Sequence, residues 1–184
     1  MLNDPIRTYT LWENYGIEFG MFGGTKEEIK CIDYGDPTKV QVVSSVLRGH
    51  VSMDWWGFID ASCTLYVDNR EVWYWEWHTF GSDQQFNIDI TSIVQTAGVH
   101  TFKYEIWSTS SGHFTLTVYV DYSYNQLESG YNPPTTITLI SSTTSPNPQQ
   151  TQFSAIISNM MNMMMVMMIM SMMMSAVSRM TRSR

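Results

Sequence analysis

The run from Val72 to His78, which reads VWYWEWH, contains the side chains of this chain that are best suited to binding a ligand or a partner. Neighbouring side chains of a β-strand point to opposite faces, so one face of this run would carry three indoles. These indoles belong to Trp73, Trp75 and Trp77. A row of indoles can stack on sugar rings, fill the core of a β-sandwich, or form a contact between subunits. All three interpretations stay open, and Trp55 and Trp56 add a second aromatic pair.

The acidic and histidine side chains offer little support for catalysis. Glu76 with Asp54 or Asp60 could form the carboxylate pair of a glycosidase, but no spacing in the sequence brings them together. The histidines lack the HxH and HExxH spacings of metal sites, and no G-x-S-x-G nucleophile motif occurs. They are His50, His78, His100 and His113. We therefore expect no catalytic site, no metal site and no cofactor, in a chain that is not an enzyme.

The two cysteines, Cys31 and Cys63, allow one disulfide at most. Two residues are too few to define the disulfide framework of a small secreted domain, and the CxxC spacing of a metal site is absent. The sequence leaves two alternatives open: two unrelated buried thiols, or a disulfide between Cys31 and Cys63.

Short segments of alternating polarity run from Lys39 to Tyr124 and predict one β-strand after another. The dipeptide Asp68-Asn69 separates two such segments and predicts a hairpin over residues 63–80. Gly, Asp, Asn and Ser separate the segments, as is typical of an antiparallel sandwich or barrel. We therefore predict a mainly β domain over residues 1–128, with one further strand at residues 135–140.

One stretch of this domain, FNIDITSIVQTAGVHTFKYEIWS, resembles a pattern found in galactose-binding-like and related jelly-roll β-sandwich domains. The matching positions are Phe86, Asp89, Thr91, Gly98 and Thr101. The resemblance covers under a fifth of the chain, and in those domains the stretch joins two strands through a tight turn. The resemblance implies an antiparallel jelly-roll-like β-sandwich. It identifies no binding residue, because a shared fold alone does not establish a shared function.

The composition changes after residue 128. Residues 129–152 are rich in Ser, Thr and Pro and predict a spacer. Residues 160–174 hold 11 of the 15 methionines, in an uncharged stretch that ends just before a basic tail at residues 179–184. An uncharged apolar stretch of about 20 residues closed by arginines is typical of a single membrane-spanning helix. We therefore predict one C-terminal transmembrane α-helix over residues 153–178.

The methionine-rich segment admits further interpretations. Polar side chains in lipid need partners, so four of them are candidates for contacts between the helices of a homo-oligomer. They are Asn159, Asn162, Ser171 and Ser175. Thioethers also bind Cu(I), and Met164 and Met168 have the spacing of one helix face, although no Cys or His lies nearby. A helix that is apolar on all sides can also be buried in a protein core instead of a bilayer.

The charge balance restricts the partners. Lys and Arg number 10 and Asp and Glu 17, which gives a net charge of −7. Three of the ten cations lie in the basic tail, so residues 1–178 carry 7 cations against 17 anions, a net charge of −10. Such a surface repels DNA and RNA, and we expect no nucleic-acid partner.

The topology of the predicted anchor stays open. The terminal arginines favour an external β domain, on a cell surface or a virion envelope, whereas the N-terminal residues show no signal peptide. We expect a non-enzymatic, membrane-anchored surface or envelope structural subunit. Its partners would be the lipid bilayer and copies of itself or other envelope subunits. The alternatives are a membrane-tethered carbohydrate-binding module, whose indole row would bind a glycan, and an accessory subunit of a larger membrane complex.

Overall fold

The computed structural model describes residues 6–54, 60–78, 83–134, 136–146, 156, 159–161 and 163–170. The chain divides into two compact units, residues 1–146 and residues 147–184. The described residues of the first unit form nine β-strands. These are β1 (Arg7–Phe19), β2 (Gly24–Asp33), β3 (Val40–Asp54), β4 (Ala61–Val67), β5 (Arg70–Trp77), β6 (Asp83–Asp89), β7 (Val99–Ser108), β8 (Gly112–Gln126) and β9 (Ile137–Pro146).

The strands form two antiparallel sheets. One sheet has the order β1-β8-β3-β6 and the other has the order β5-β4-β7-β2-β9. Without β9, the two orders are those of a jelly roll, which stacks two four-stranded sheets built from Greek keys. The prediction of a mainly β, antiparallel sandwich is therefore confirmed. β9 begins within the strand expected at residues 135–140 and continues through residues 141–146, which the sequence had suggested as spacer.

The core lies between the two sheets, because alternate side chains of each strand point inward. In β8, the side chains of Phe114, Leu116 and Val118 are fully buried, and in β7 those of Phe102 and Ile106 are buried as well. Burial of such side chains stabilises the fold by roughly 1.5–3 kcal/mol each. The alternation of period two in the sequence therefore corresponds to the inner faces of the sandwich.

The Asp68-Asn69 turn joins β4 to β5. Both residues have positive φ, 48° at Asp68 and 61° at Asn69, as the central residues of a type I′ turn require. The hairpin predicted from this dipeptide is confirmed. The carboxylate of Asp68 also accepts a hydrogen bond of 2.8 Å from the backbone N–H of Thr101, which ties the turn to β7.

A buried carboxylate connects the two sheets where β1 lies near β2. Glu28 is 4% exposed. Its Oε1 accepts a hydrogen bond of 2.8 Å from Nε1 of Trp12, and its Oε2 accepts one of 2.8 Å from the hydroxyl of Tyr15. Nζ of Lys30 lies 3.2 Å from Oε1. Because a buried charge is tolerated only when it is paired and hydrogen-bonded, these three partners explain why Glu28 can face the interior.

The described residues of the second unit are helical. They lie between positions 156 and 170, and their side chains are exposed. In the part of the chain that the structure describes, no helix is both long enough and apolar enough to cross a membrane. The predicted transmembrane helix at residues 153–178, and with it the membrane localisation, is therefore wrong.

Candidate functional site

The indole row lies on β5, an edge strand, and the structure divides it between core and surface. Trp77 is 3% exposed and its ring lies 5.8 Å from that of Phe114, across the sandwich. Trp73 is partly buried, with its ring 4.9 Å from that of Phe86. Trp75 is 39% exposed. Trp77 therefore lies in the core and Trp73 packs against it, whereas more than a third of the Trp75 side chain is exposed to solvent.

The opposite face of β5 carries an exposed charged cluster. Nδ1 of His78 lies 3.2 Å from Oδ1 of Asp60, and Nε2 lies 3.6 Å from Oε2 of Glu76. The imidazole ring is therefore in contact with both carboxylates. The phenol of Tyr74 lies beside this cluster, where loss of solvent and the Glu76 carboxylate raise its pKa. The structure thus brings Asp60 and Glu76 to one exposed histidine.

The other three histidines lie apart from this cluster. His50 lies on β3 of the four-stranded sheet, and His113 on β8 has its Nδ1 3.8 Å from Oε1 of Glu18. His100 is 8% exposed. Among the described residues, no three His, Cys, Asp or Glu side chains form a group that could hold a metal ion.

The buried side chain of His100 connects β7 to the β4–β5 turn and to the segment that precedes β7. Its Nδ1 lies 2.6 Å from Oδ2 of Asp68, and its Nε2 lies 2.8 Å from the carbonyl oxygen of Thr96. Partial burial by itself raises the pKa of Asp68, but the hydrogen bonds from His100 and Thr101 outweigh it and hold that pKa below its ordinary value. His100 therefore stabilises the β4–β5 turn through its contact with Asp68.

The two cysteines are not brought together. Cys31 lies on β2 opposite Thr101 of β7, and Cys63 lies on β4 opposite Ile106 of the same strand. These positions of β7 are five residues apart, which corresponds to roughly 17 Å along a strand. Both thiols are free, and burial raises the pKa of Cys63 far above its ordinary value.

Most of the remaining predicted contact residues lie outside the described part of the chain. This applies to Trp55, Trp56, Asn162, Ser171 and Ser175. Asn159 is described and is an exposed helical residue. Contacts between helices through these side chains stay a prediction.

The sequence did not predict a polar groove on the outer face of the four-stranded sheet. The groove has a volume of about 470 Å³. It is lined by Arg48, Gly49, His50, Gln85, Phe86, Asn87 and Tyr119. On β3, Arg48 stands opposite Asn87 of β6 and Tyr119 of β8, and His50 stands opposite Gln85 of β6. Three strands that are distant in sequence therefore place amide, imidazole, guanidinium and phenol groups side by side.

One member of this groove is held in place by its neighbours. The guanidinium of Arg48 donates to both carboxylate oxygens of Asp121, and it lies 4.8 Å from the centre of the Tyr119 ring. The hydrogen bond from Arg48 holds the pKa of Asp121 below its ordinary value. The alternation of polar residues along β3, β6 and β8 was visible in the sequence, but the pairing that joins them was not.

Comparison with known proteins gave no match to any family model. No curated protein matches the chain either. Among solved structures, the chain is similar to dimeric latent PorU from Porphyromonas gingivalis, with a TM-score of 0.39 and 8% identity over 66% of this chain and 13% of that chain. It is also similar to the structure of the Gt strain of infectious bursal disease virus, with a TM-score of 0.38 and 14% identity over 79% of this chain and 41% of that chain.

A third similar structure is that of Broad Bean Stain Virus, with a TM-score of 0.31 and 8% identity over 74% of this chain and 93% of that chain. The chain thus spans less than half the length of the PorU and bursal disease virus chains. All three TM-scores are below 0.4, so the likeness is a weak one between β-sandwich folds, and no residue role follows from it.

Proposed function

We propose that this chain is a non-enzymatic structural subunit whose β-sandwich associates with copies of itself. The jelly-roll strand order supports the proposal, because jelly rolls serve as the shell-forming domains of viral capsids, a setting in which one domain is repeated many times. A virion or another surface lattice is the kind of assembly that such a subunit would build.

The observation that carries the proposal is the exposed indole of Trp75 on edge strand β5. Tyr74, the next residue on the opposite face, is 48% exposed, so the strand presents aromatic surface on both faces. Trp and Tyr are enriched in the centres of protein interfaces, where they contribute much of the binding energy.

The test is the self-association of the full chain. We expect the wild type to form oligomers in sedimentation velocity and native mass spectrometry, and Trp75→Ala to raise the dissociation constant about tenfold, as for a residue at the centre of an interface. Met21→Ala is the matched control, because Met21 is 77% exposed in a turn away from β5. A wild-type chain that stays monomeric at every concentration would overturn the proposal, provided that its circular dichroism shows a folded sandwich.

A second candidate function, carbohydrate binding, is favoured by the polar groove on the outer face of the four-stranded sheet. Jelly rolls also occur in lectins. The side chains of Gln85, Asn87 and His50 present donors and acceptors in a row, which suits the hydroxyl groups of a sugar. The indole row supports this function less, because Trp77 is buried in the core and Trp73 is packed against it.

Titration of oligosaccharides into the full chain distinguishes the two functions. Carbohydrate binding through the groove predicts saturable heat that Asn87→Ala removes while Trp75→Ala preserves it. A structural subunit without this second function predicts no heat with any saccharide and an unchanged oligomer in Asn87→Ala.

A further inference from the structure

The four edge strands of the described sandwich differ in charge. β1 and β6 are the edges of one sheet, and β5 and β9 are the edges of the other. β1 carries one Arg and two Glu, β5 one Arg and two Glu, and β6 two Asp. β9 reads ITLISSTTSP and, alone among these four, has no charged residue. Charged side chains on an edge strand are a common means of preventing edge-to-edge pairing, and β9 lacks that protection.

The edge of β1 shows what a protected edge looks like in the same molecule. Its pairing with β8 shifts register twice, between Thr10 and Trp12 and between Trp12 and Tyr15. Bulges of this kind twist an edge away from a flat partner. The carbonyl oxygen of Leu11, within the first shift, also accepts a hydrogen bond of 2.7 Å from Nζ of Lys30. β1 is therefore a poor template for an added strand.

β9 also exposes apolar surface. Leu139 is 56% exposed and Ile140 is 55% exposed. β9 is the fifth strand of its sheet, whereas the facing sheet has four strands. The strand is ten residues long, with one register shift against β2 between Ile29 and Lys30. An uncharged edge of this length with exposed aliphatic side chains is a template for pairing with another strand.

We propose that β9 of one copy pairs antiparallel with β9 of a second copy, so that two five-stranded sheets join into one continuous sheet. This inference rests on the proposed self-association and names one of its contacts. Antiparallel pairing of a strand with its own copy has two-fold symmetry and requires no second kind of surface. Ser and Thr side chains opposite one another across the new ladder form hydrogen bonds.

The distribution of charge favours β9 over the other three edges as the place where a second copy pairs. Residues 1–178 have a net charge of −10, so two copies repel one another over most of their surface. Like charges directly opposite one another in a ladder are destabilising, and the other three edges would bring Glu or Asp residues of two copies together. The uncharged run of Ser and Thr in β9 is the edge at which two identical strands meet without that cost.

Paired charge variants test the contact. Thr138 and Ser145 are exposed and have equal distances from the middle of β9, so a pairing centred on the strand places Thr138 of one copy opposite Ser145 of the other. We expect Thr138→Lys/Ser145→Lys and Thr138→Glu/Ser145→Glu each to raise the dissociation constant at least tenfold. An equimolar mixture of the two variants should form the mixed dimer, which native mass spectrometry resolves by mass.

Matched controls place the same charges elsewhere on the same unit. Met21 and Val99 are 77% and 64% exposed, and neither lies on β9. Met21→Lys/Val99→Lys and Met21→Glu/Val99→Glu should associate like the wild type and show no preference for the mixed dimer. Thermal unfolding of all four variants establishes that they fold.

The outcomes separate this inference from the proposed function. If the wild type associates and the β9 charge variants associate equally well, the β9 contact is excluded while self-association stands. If the β9 charge variants dissociate but an equimolar mixture of the Lys and Glu variants forms no mixed dimer, a strand of different sequence occupies the edge. The inference is then overturned. A wild-type chain that never associates overturns the proposed function itself.

Discussion

Gly49 shows how closely two strands approach at one residue. A Cβ atom added to Gly49 would lie 2.0 Å from the carbonyl oxygen of Thr117 on β8, far inside any real contact distance. The backbone oxygen cannot move without breaking the β3–β8 pairing that forms the middle of the four-stranded sheet. The absence of a side chain at Gly49 is therefore a requirement of the fold.

We predict that Gly49→Ala lowers the free energy of unfolding by about 3 kcal/mol or more, because an added methyl group that forces a backbone shift has a cost of this size. Urea unfolding followed by circular dichroism measures the change. Gly20→Ala is the matched control, because a Cβ at Gly20 would meet nothing within 4 Å. Equal stabilities of the two variants would contradict the steric argument.

Asp121 gives a second prediction, which concerns how the stability of the fold depends on pH. The hydrogen bond from Arg48 is the main cause of its lowered pKa, with a further one from the hydroxyl of Thr8. A lowered pKa in the folded state means that the unfolded chain takes up the proton first as the pH falls. The stability from this carboxylate is complete above the unfolded pKa of about 3.9 and is lost as the pH falls through the folded value.

We therefore expect Asp121→Asn to be less stable than the wild type at pH 7, with the difference shrinking below about pH 4. Urea midpoints measured from pH 7 to pH 2 test this. Asp83→Asn, at the exposed first residue of β6, is the control. A difference between wild type and Asp121→Asn that is constant over this pH range would show that the ion pair makes no contribution.

At the level of elements, the β4–β5 hairpin depends on the backbone of its turn. Asn69 has a φ of 61°, which Asn and Gly adopt more readily than other residues. The hairpin also places β5 at the sheet edge, where Trp75 is exposed. A change in the turn therefore affects both the stability of the sandwich and the proposed contact surface.

We predict that Asn69→Ala costs about 1 kcal/mol, because the short polar side chain of Asn can hydrogen-bond locally and so offset the clash of Cβ with the following carbonyl oxygen in the left-handed region, whereas Ala cannot. Asn69→Gly should be as stable as the wild type, since Gly occupies this region without that clash. Thermal or urea unfolding of the two variants decides the point. An alanine variant as stable as the glycine variant would mean that the turn conformation is not under steric control.

At the level of the whole molecule, the net negative charge opposes the proposed association of two copies through their edge strands. Two copies with a net charge of −10 over residues 1–178 repel one another, and salt screens that repulsion. We expect the dissociation constant of the wild-type oligomer to fall as NaCl is raised from about 50 mM to about 500 mM, where the Debye length shortens from roughly 14 Å to 4 Å. Sedimentation velocity at several salt concentrations measures it. A dissociation constant that rises with salt would indicate an interface held by opposite charges.

Local patterns in the amino-acid sequence were enough to predict the strands and one hairpin of the β domain. Alternation of period two identified the strands and their buried faces, as at Phe114 and Leu116, and the Asp68-Asn69 dipeptide identified a hairpin. These features follow from side-chain geometry within a few residues, so that they can be read without the rest of the chain. Hydropathy and charge alone misled at the methionine tract, because the part of the chain that the structure describes contains no helix long and apolar enough to cross a membrane.

The identity of neighbouring strands became known only from the folded chain. β1 pairs with β8 and β2 with β9, over separations of about a hundred residues, and no local pattern encodes those partners. These pairings place β5 and β9 at edges, bury Trp77 against Phe114, and leave Trp75 exposed. An edge is a property of the complete sheet, since a strand has a free side only when no other strand of the chain packs there.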